Sequence, residues 1–161
     1  MLALGLTTAC LCSYAITVYA FRPFVDHDDN LLGGMWAAIS SVFVFKSTRV
    51  LSVRAGAGRL YATGISFALC LAYLLVLPFN GVGMAVLLGI GALIVTALGH
   101  RDDVLTFGIT TVVVMVAAAL APAGKAWAIP VLRLLDTAIG IVVGVAVAMA
   151  AQALLEREVK V

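Results

Sequence analysis

The sequence predicts an all-α, polytopic integral membrane protein. Hydrophobic residues make up 64% of its 161 positions and charged residues 11%, against roughly 25% charge in soluble domains. Mean hydropathy is +1.18. The clearest local sign is RLLDTAIGIVVGVAVAMAAQALL at 133–155, which opens on Arg133 and Asp136 and then carries no further charge. A membrane helix needs about 20 apolar residues to cross about 30 Å of hydrocarbon. Reading between charges gives about six spans, at 1–20, 31–47, 59–79, 82–99, 104–121 and 132–154. They form one six-helix transmembrane domain, 1–155, followed by a short cytoplasmic tail, 156–161.

The first span, MLALGLTTACLCSYAITVYA, has no Lys or Arg before Arg22. It lacks the basic start of a secretory signal and reads as a retained helix. The second is short, with fifteen residues between Asn30 and Lys46, so Lys46 would have to snorkel to the interface. Pro78, Phe79, Asn80 and Gly81 alone separate the third and fourth spans; that tight turn predicts an antiparallel hairpin. Cys10, Cys12 and Cys70 lie inside apolar runs and read as small buried hydrophobes.

Orientation follows from Lys and Arg in short loops. KSTRVLSVRAGAGR, 46–59, holds four basic residues and no acid. Placing it inside puts seven basic residues inside against three outside, with both termini cytoplasmic in a bacterial inner membrane. Its interleaved Val50, Leu51 and Val53 admit two readings: a loop lying along the anionic inner leaflet, or a plain positive-inside stop signal.

Without a hydrophobic drive in lipid, helices associate through small residues. Gly140, Gly144 and Ala148 form such a ridge on the sixth span, with Thr137 and Gln152 near its line. Gly81, Gly83, Gly89 and Gly91 admit two readings: a loosened helix near a binding region, or contact points.

Ionisable residues within spans face partners or cavities. Arg133 and Asp136, three apart, share a face with Gly140 and Gly144 and can pair. Arg59, Leu60, Thr63 and Ile65 recur 74 residues later as Arg133, Leu134, Thr137 and Ile139; Ser66 and Cys70 extend the face of Arg59. The recurrence suggests an inverted repeat of three plus three helices. Arg59 and Arg133 at helix N-termini would add to the positive dipole ends and grip carboxylates in bidentate fashion. An organic-anion path would use Arg59, Thr63, Trp36, Arg133, Asp136 and Thr137, with Asp136 as counter-ion or proton-coupling group. The alternative is an interfacial pair that fixes the helix end.

WAAISSVFVFKSTR, RLYATGISFALCLAYLL and RLLDTAIGIVVGVAVAM resemble the fusaric acid resistance and aromatic acid exporter family. The matching features are Trp36 and Ala37, Gly56 to Arg59, Thr63 and Gly64, and Arg133 to Gly144, over about residues 31–150. The resemblance implies a six-helix membrane domain exporting aromatic or other organic acids; plant malate channels look like distant relatives. Larger members carry a cytoplasmic domain after the last helix and often a second membrane half. Here only EREVKV follows, which implies a homodimer.

Asp26 to Asp29, DHDD, admits a divalent-cation site or a solvated turn. His100 to Asp103, HRDD, admits an inner gate or a polar turn. Trp127 beside Lys125 and Pro130 reads as an interfacial anchor, whereas Trp36 lies within a span and admits aromatic stacking. No metalloprotease, phosphate-loop or nucleophile motif is present, so neither an enzyme, a metal, a cofactor nor a nucleic-acid partner is expected. A net charge of +2 fits that reading. The rival function is a non-transporting membrane subunit that packs on a partner through its Gly/Ala ridges.

Overall fold

Helices account for nearly all of the computed structural model, which describes residues 2–21, 23, 27–46, 48–121 and 125–158, with the side chains of 2, 21, 27–29 and 154–158 excepted. Six α-helices and one 3-10 turn follow in order: α1 Leu2–Phe21, α2 His27–Val44, α3 Arg49–Val76, α4 Gly81–Ala97, the turn Arg101–Asp103, α5 Val104–Leu120 and α6 Ala128–Glu158. No strand occurs among the described residues. Four stretches have the length and apolarity of a membrane crossing: Ala3–Ala20, Arg49–Val76, Arg101–Leu120 and Ala128–Ala153. Asn30–Val44 and Gly81–Ala97 are shorter apolar helices.

Three boundaries differ from the sequence expectation, each for a local reason. α3 starts ten residues before position 59 because Thr48 caps it: its hydroxyl accepts from Leu51 N–H at 3.3 Å, the ordinary N-cap geometry. Arg59 is therefore the eleventh residue of α3, well past the reach of the helix dipole. α6 starts at Ala128 because Pro130, in its first turn, lacks only an N–H that would have no intrahelical partner there. Arg133 is its sixth residue, so neither Arg is helix-terminal. α2 stops at Val44, which leaves Lys46 exposed beyond the helix end and removes the need for it to snorkel.

The turn signals act as their chemistry requires. Asn80, extended, caps α4 by accepting from Val82 N–H at 2.9 Å. Gly99, at φ +85°, closes α4 with paired bonds from Gly99 to Thr96 and from His100 to Val95; this Schellman arrangement favours glycine.

The chain divides into two compact units, one of residues 1–57 and 135–161, the other of residues 58–134. In unit 1, α1 runs antiparallel to α2: Gly5 packs against Phe45, and Gly34 against Val18 and Tyr14. α6 runs parallel to α2, with Gly33 against Asp136, Gly140 against Ala37 and Ser40, and Gly144 against Ser41. In unit 2, α3 and α4 form the expected antiparallel hairpin, with Gly83 under Tyr73 and Leu87 clustered with Cys70. α5 runs parallel to α3, linked by Ser66 and Thr111 at 3.0 Å, while Ala62, Val95 and Phe107 form a second cluster.

α4 is unbroken, and its glycines have two uses. Gly83 and Gly91 leave room for the rings of Tyr73 and Phe107, whereas Gly81 and Gly89 face open space. Close ring-to-backbone approach, rather than a loosened helix, explains the first two.

Candidate functional site

Burial on α6 follows one face. Arg133, Asp136, Thr137, Gly140, Gly144, Ala148 and Gln152 are all buried. Within unit 1 the meeting of this face with α2 forms a polar seam. The Trp36 indole N–H donates to Thr137 Oγ1 at 3.0 Å. The Asp136 carboxylate lies against the backbone of Gly33, where a Cβ would come within 2.9 Å of Oδ1. One turn before Gly33, Asn30 is buried and donates through Nδ2 to the Val18 carbonyl at 2.9 Å, while its Oδ1 has no hydrogen-bond partner among the described residues. Below the seam, Gly140 lies on the Ala37 carbonyl and Gly144 on the backbone of Ser41. Any side chain at either glycine would force the helices apart.

That ridge settles a point about the rival reading. Gly140 and Gly144 are occupied by α2 of the same chain, so they offer no face to a partner. A second ridge escaped the sequence reading. Gly5, Ala9, Ser13 and Thr17 recur every four residues on α1, with the last three fully or almost fully buried. Ser13 Oγ donates to Ser41 Oγ at 3.2 Å. The signal was present as a small-xxx-small spacing, hidden by its polar members.

Unit 2 carries Arg59, Thr63 and Arg133, each nearly inaccessible at 4%, 1% and 1% exposure. A charged side chain in the interior of a membrane bundle is costly and marks function by default. The Thr63 hydroxyl has no hydrogen-bond partner among the described residues, so its donor and acceptor capacity is open. Along the same face of α3, Ser66 bridges to Thr111 at 3.0 Å and to Cys70 Sγ at 3.9 Å.

The six path residues thus fall into two sets. Trp36, Asp136 and Thr137 line the unit 1 seam; Arg59, Thr63 and Arg133 belong to unit 2. Trp36 is 3% exposed with its N–H engaged. Trp127, half exposed in the turn before α6, sits beside exposed Lys125.

The His100–Asp103 segment is a tethered turn. His100 Nδ1 lies 3.1 Å from Asp103 Oδ2, and Tyr61 stacks on the imidazole at 4.3 Å. The Asp103 carboxylate rests on Gly58 of α3. The DHDD segment lies outside the described residues, wholly so for Asp26 and in its side chains for His27, Asp28 and Asp29. Among the described residues no cluster of His, Cys, Asp or Glu has the makings of a metal site.

Burial repeats along the chain. The buried residues of α5 are Phe107, Thr110, Thr111, Val114, Met115 and Ala118. Each stands 74 positions after a buried residue of α2: Gly33, Trp36, Ala37, Ser40, Ser41 and Val44. The same offset carries Gly56, Arg59, Ala62, Thr63, Ser66 and Cys70 of α3 onto Pro130, Arg133, Asp136, Thr137, Gly140 and Gly144 of α6, all buried. Sequence alone revealed this only at Arg59 and Thr63, because the other positions exchange residue types.

No curated protein and no solved structure matches the chain. A family model described as fusaric acid resistance protein-like matches residues 14–147, a span that takes in Trp36, Arg59, Thr63, Arg133, Asp136 and Thr137. This membrane protein, with its buried arginines and polar α2–α6 seam, belongs to the fusaric acid resistance protein-like family, a family of membrane transport proteins.

Proposed function

We propose that the chain is a six-pass exporter or channel for organic-acid anions, aromatic acids included, built as two inverted three-helix repeats. The observation that carries this reading is the burial of Arg59 and Arg133 at equivalent positions of a chain that is 64% hydrophobic. A guanidinium offers two parallel donors to a carboxylate. The Thr63 and Thr137 hydroxyls, four residues after each arginine, supply further donors along the same helix faces. Asp136, three residues after Arg133 on α6, serves as counter-ion or proton-coupling acid, and Trp36, bonded to Thr137, offers an aromatic surface within unit 1.

Helix directions support six crossings. In unit 1, α1 opposes α2 and α6 parallels α2; in unit 2, α4 opposes α3 and α5 parallels α3. Strict alternation through six spans requires each of these relations, and the shorter α2 and α4 then cross with the rest. An odd number of helices per repeat makes the two copies opposite in topology, and the 74-residue burial period supports the repeat itself. The excess of Lys and Arg in loop 46–59 supports a bacterial inner-membrane orientation with both termini cytoplasmic. A homodimer is the assembly this reading favours.

The test is flux of benzoate against chloride from liposomes holding the purified protein. Arg133→Gln should lower benzoate flux by about 10- to 100-fold, the loss expected for a hydrogen bond to a charged group, with insertion unchanged. Retained flux in the variant removes Arg133 from the mechanism. Absence of flux in the correctly inserted wild type turns the reading to a partner-dependent subunit.

A further inference from the structure

Asp103 stands at the N-cap of α5, yet its side chain makes no capping bond. An aspartate in that position ordinarily accepts from an N–H of the first turn. Here the carboxylate is turned elsewhere. Its Oδ2 lies 3.1 Å from His100 Nδ1, and a Cβ on Gly58 of α3 would fall 2.5 Å from its Oδ1. The His100 imidazole in turn stacks on the Tyr61 ring, at 4.3 Å between centroids and 27° between planes. Two contacts within unit 2 therefore tie the α4–α5 turn to α3, one at Gly58 and one at Tyr61. Both converge on the His100–Asp103 pair.

That pair contains a group that titrates in the neutral range. Histidine is the side chain whose charge ordinarily changes between about pH 5 and pH 8, and the His100 side chain is 44% exposed, so protons reach it from water. Once it is protonated, Nδ1 is a fixed donor and its bond to Asp103 becomes charge-assisted on both sides. The stack on Tyr61 becomes a cation–π contact at the same moment. Both contacts strengthen together in acid and weaken together as the proton leaves. The neighbouring charges are Arg101 and Asp102 on the turn itself, both exposed, and on α3 Arg54, exposed one turn before Gly58, and buried Arg59. Guanidinium and carboxylate groups ordinarily keep their charge over this range. α4 and α5 carry no titratable side chain.

We propose that His100, Asp103 and Tyr61 form a pH-sensitive latch, which holds the α4–α5 turn on α3 when His100 is protonated and eases it when His100 is neutral. Gly58 is the seat of the latch, since any side chain there would displace the carboxylate. Gly58 and Tyr61 stand on either side of Arg59 in the sequence, so the latch sets the freedom of the turn next to that arginine. Its bearing on anion movement rests on the transport reading above; the latch itself does not.

The experiment is amide hydrogen exchange on the full chain in neutral-detergent micelles, at about pH 5.5 and about pH 8, on either side of the ordinary histidine range. Each rate is divided by that of the unstructured peptide, so that the intrinsic pH dependence cancels. Residues 99–104 should be about fivefold better protected in acid, the gain expected of one exposed ion pair and one cation–π contact. The α3–α4 turn, residues 77–80, should show no such difference. His100→Gln should abolish the response and Asp103→Asn should weaken it, whereas His27→Gln should leave it intact. Equal protection of residues 99–104 at both pH values in the wild type would overturn the latch, a result that needs no variant to fold. So would a response that survives His100→Gln or one that is lost with His27→Gln.

Discussion

In unit 1 the parallel pair α2–α6 sets Gly33 against Asp136, Ala37 against Gly140 and Ser41 against Gly144. In unit 2 the parallel pair α5–α3 joins Phe107 with Ala62 in one cluster, Thr111 with Ser66 through a hydrogen bond, and Met115 with Cys70 in another cluster. Each residue of the second set lies 74 positions from its counterpart in the first. The geometry is shared and the chemistry is not. A carboxylate over a glycine in one unit corresponds to a ring beside an alanine in the other. Packing therefore constrains the combined size of each pair and leaves its polarity open. Unit 1 uses that latitude to bury an acid and an engaged indole; of the two, the acid is the costly one in a bilayer.

The comparison can be broken first where unit 2 is driest. Phe107→Ala empties the space between Ala62, Val95 and the glycine notch at Gly91, and should destabilise the protein by about 3 kcal/mol. Unfolding in mixed micelles with rising SDS measures it. The matched change in unit 1, Asp136→Ala, creates a smaller void and should cost less stability while reducing anion flux more. Equal effects on both readouts would erase the distinction between the dry Phe107 contact and the polar Asp136 contact.

Glycines two residues apart on α4 sharpen the same contrast within one helix. A Cβ at Gly91 would clash with the Phe107 ring, whereas Gly89 faces open space. Gly91→Ala should therefore destabilise by about 2 kcal/mol through overpacking. Gly89→Ala should stabilise by up to about 1 kcal/mol through helix propensity. Melting temperatures of the two purified variants, moving in opposite directions, are the check.

Much of this architecture was legible from charge-free runs, turn residues and glycine spacing. Asn80 acts where the sequence placed a turn, and the Gly140–Gly144–Ala148 line is buried. Less visible were helix starts. Thr48 was lost in a basic loop, and the sixth span was begun at 132, past Pro130, which is a first-turn residue of α6. Those two errors had placed both arginines at helix ends, where the structure sets them inside the helices. The 74-residue period was legible in sequence at Arg59, Leu60, Thr63 and Ile65, and not at positions such as Gly33 and Phe107 or Ala62 and Asp136, whose residue types differ. Pairings across helices, including Trp36 with Thr137, carry no spacing signal because they join residues about a hundred positions apart.

The smallest effect tests whether the interhelical hydrogen bonds of the two units are equivalent. Trp36–Thr137 at 3.0 Å ties α2 to α6; Ser66–Thr111 at 3.0 Å ties α3 to α5. Double-mutant cycles with Trp36→Phe and Thr137→Val, and with Ser66→Ala and Thr111→Val, isolate each pair from the packing lost on truncation. Bonds between membrane helices average about 0.6 kcal/mol by this method, and both cycles should return that value in SDS unfolding. Trp36→Phe keeps the aromatic body and removes only the donor, so its cycle reads the hydrogen bond and little else. If only the Ser66–Thr111 cycle yields coupling, Trp36 contributes through its ring and not its N–H, and the indole is then better suited to meeting an aromatic substrate than to holding the seam. Equal coupling makes both bonds part of a common scaffold, and leaves Asp136 over Gly33 as the feature that separates unit 1 from its counterpart.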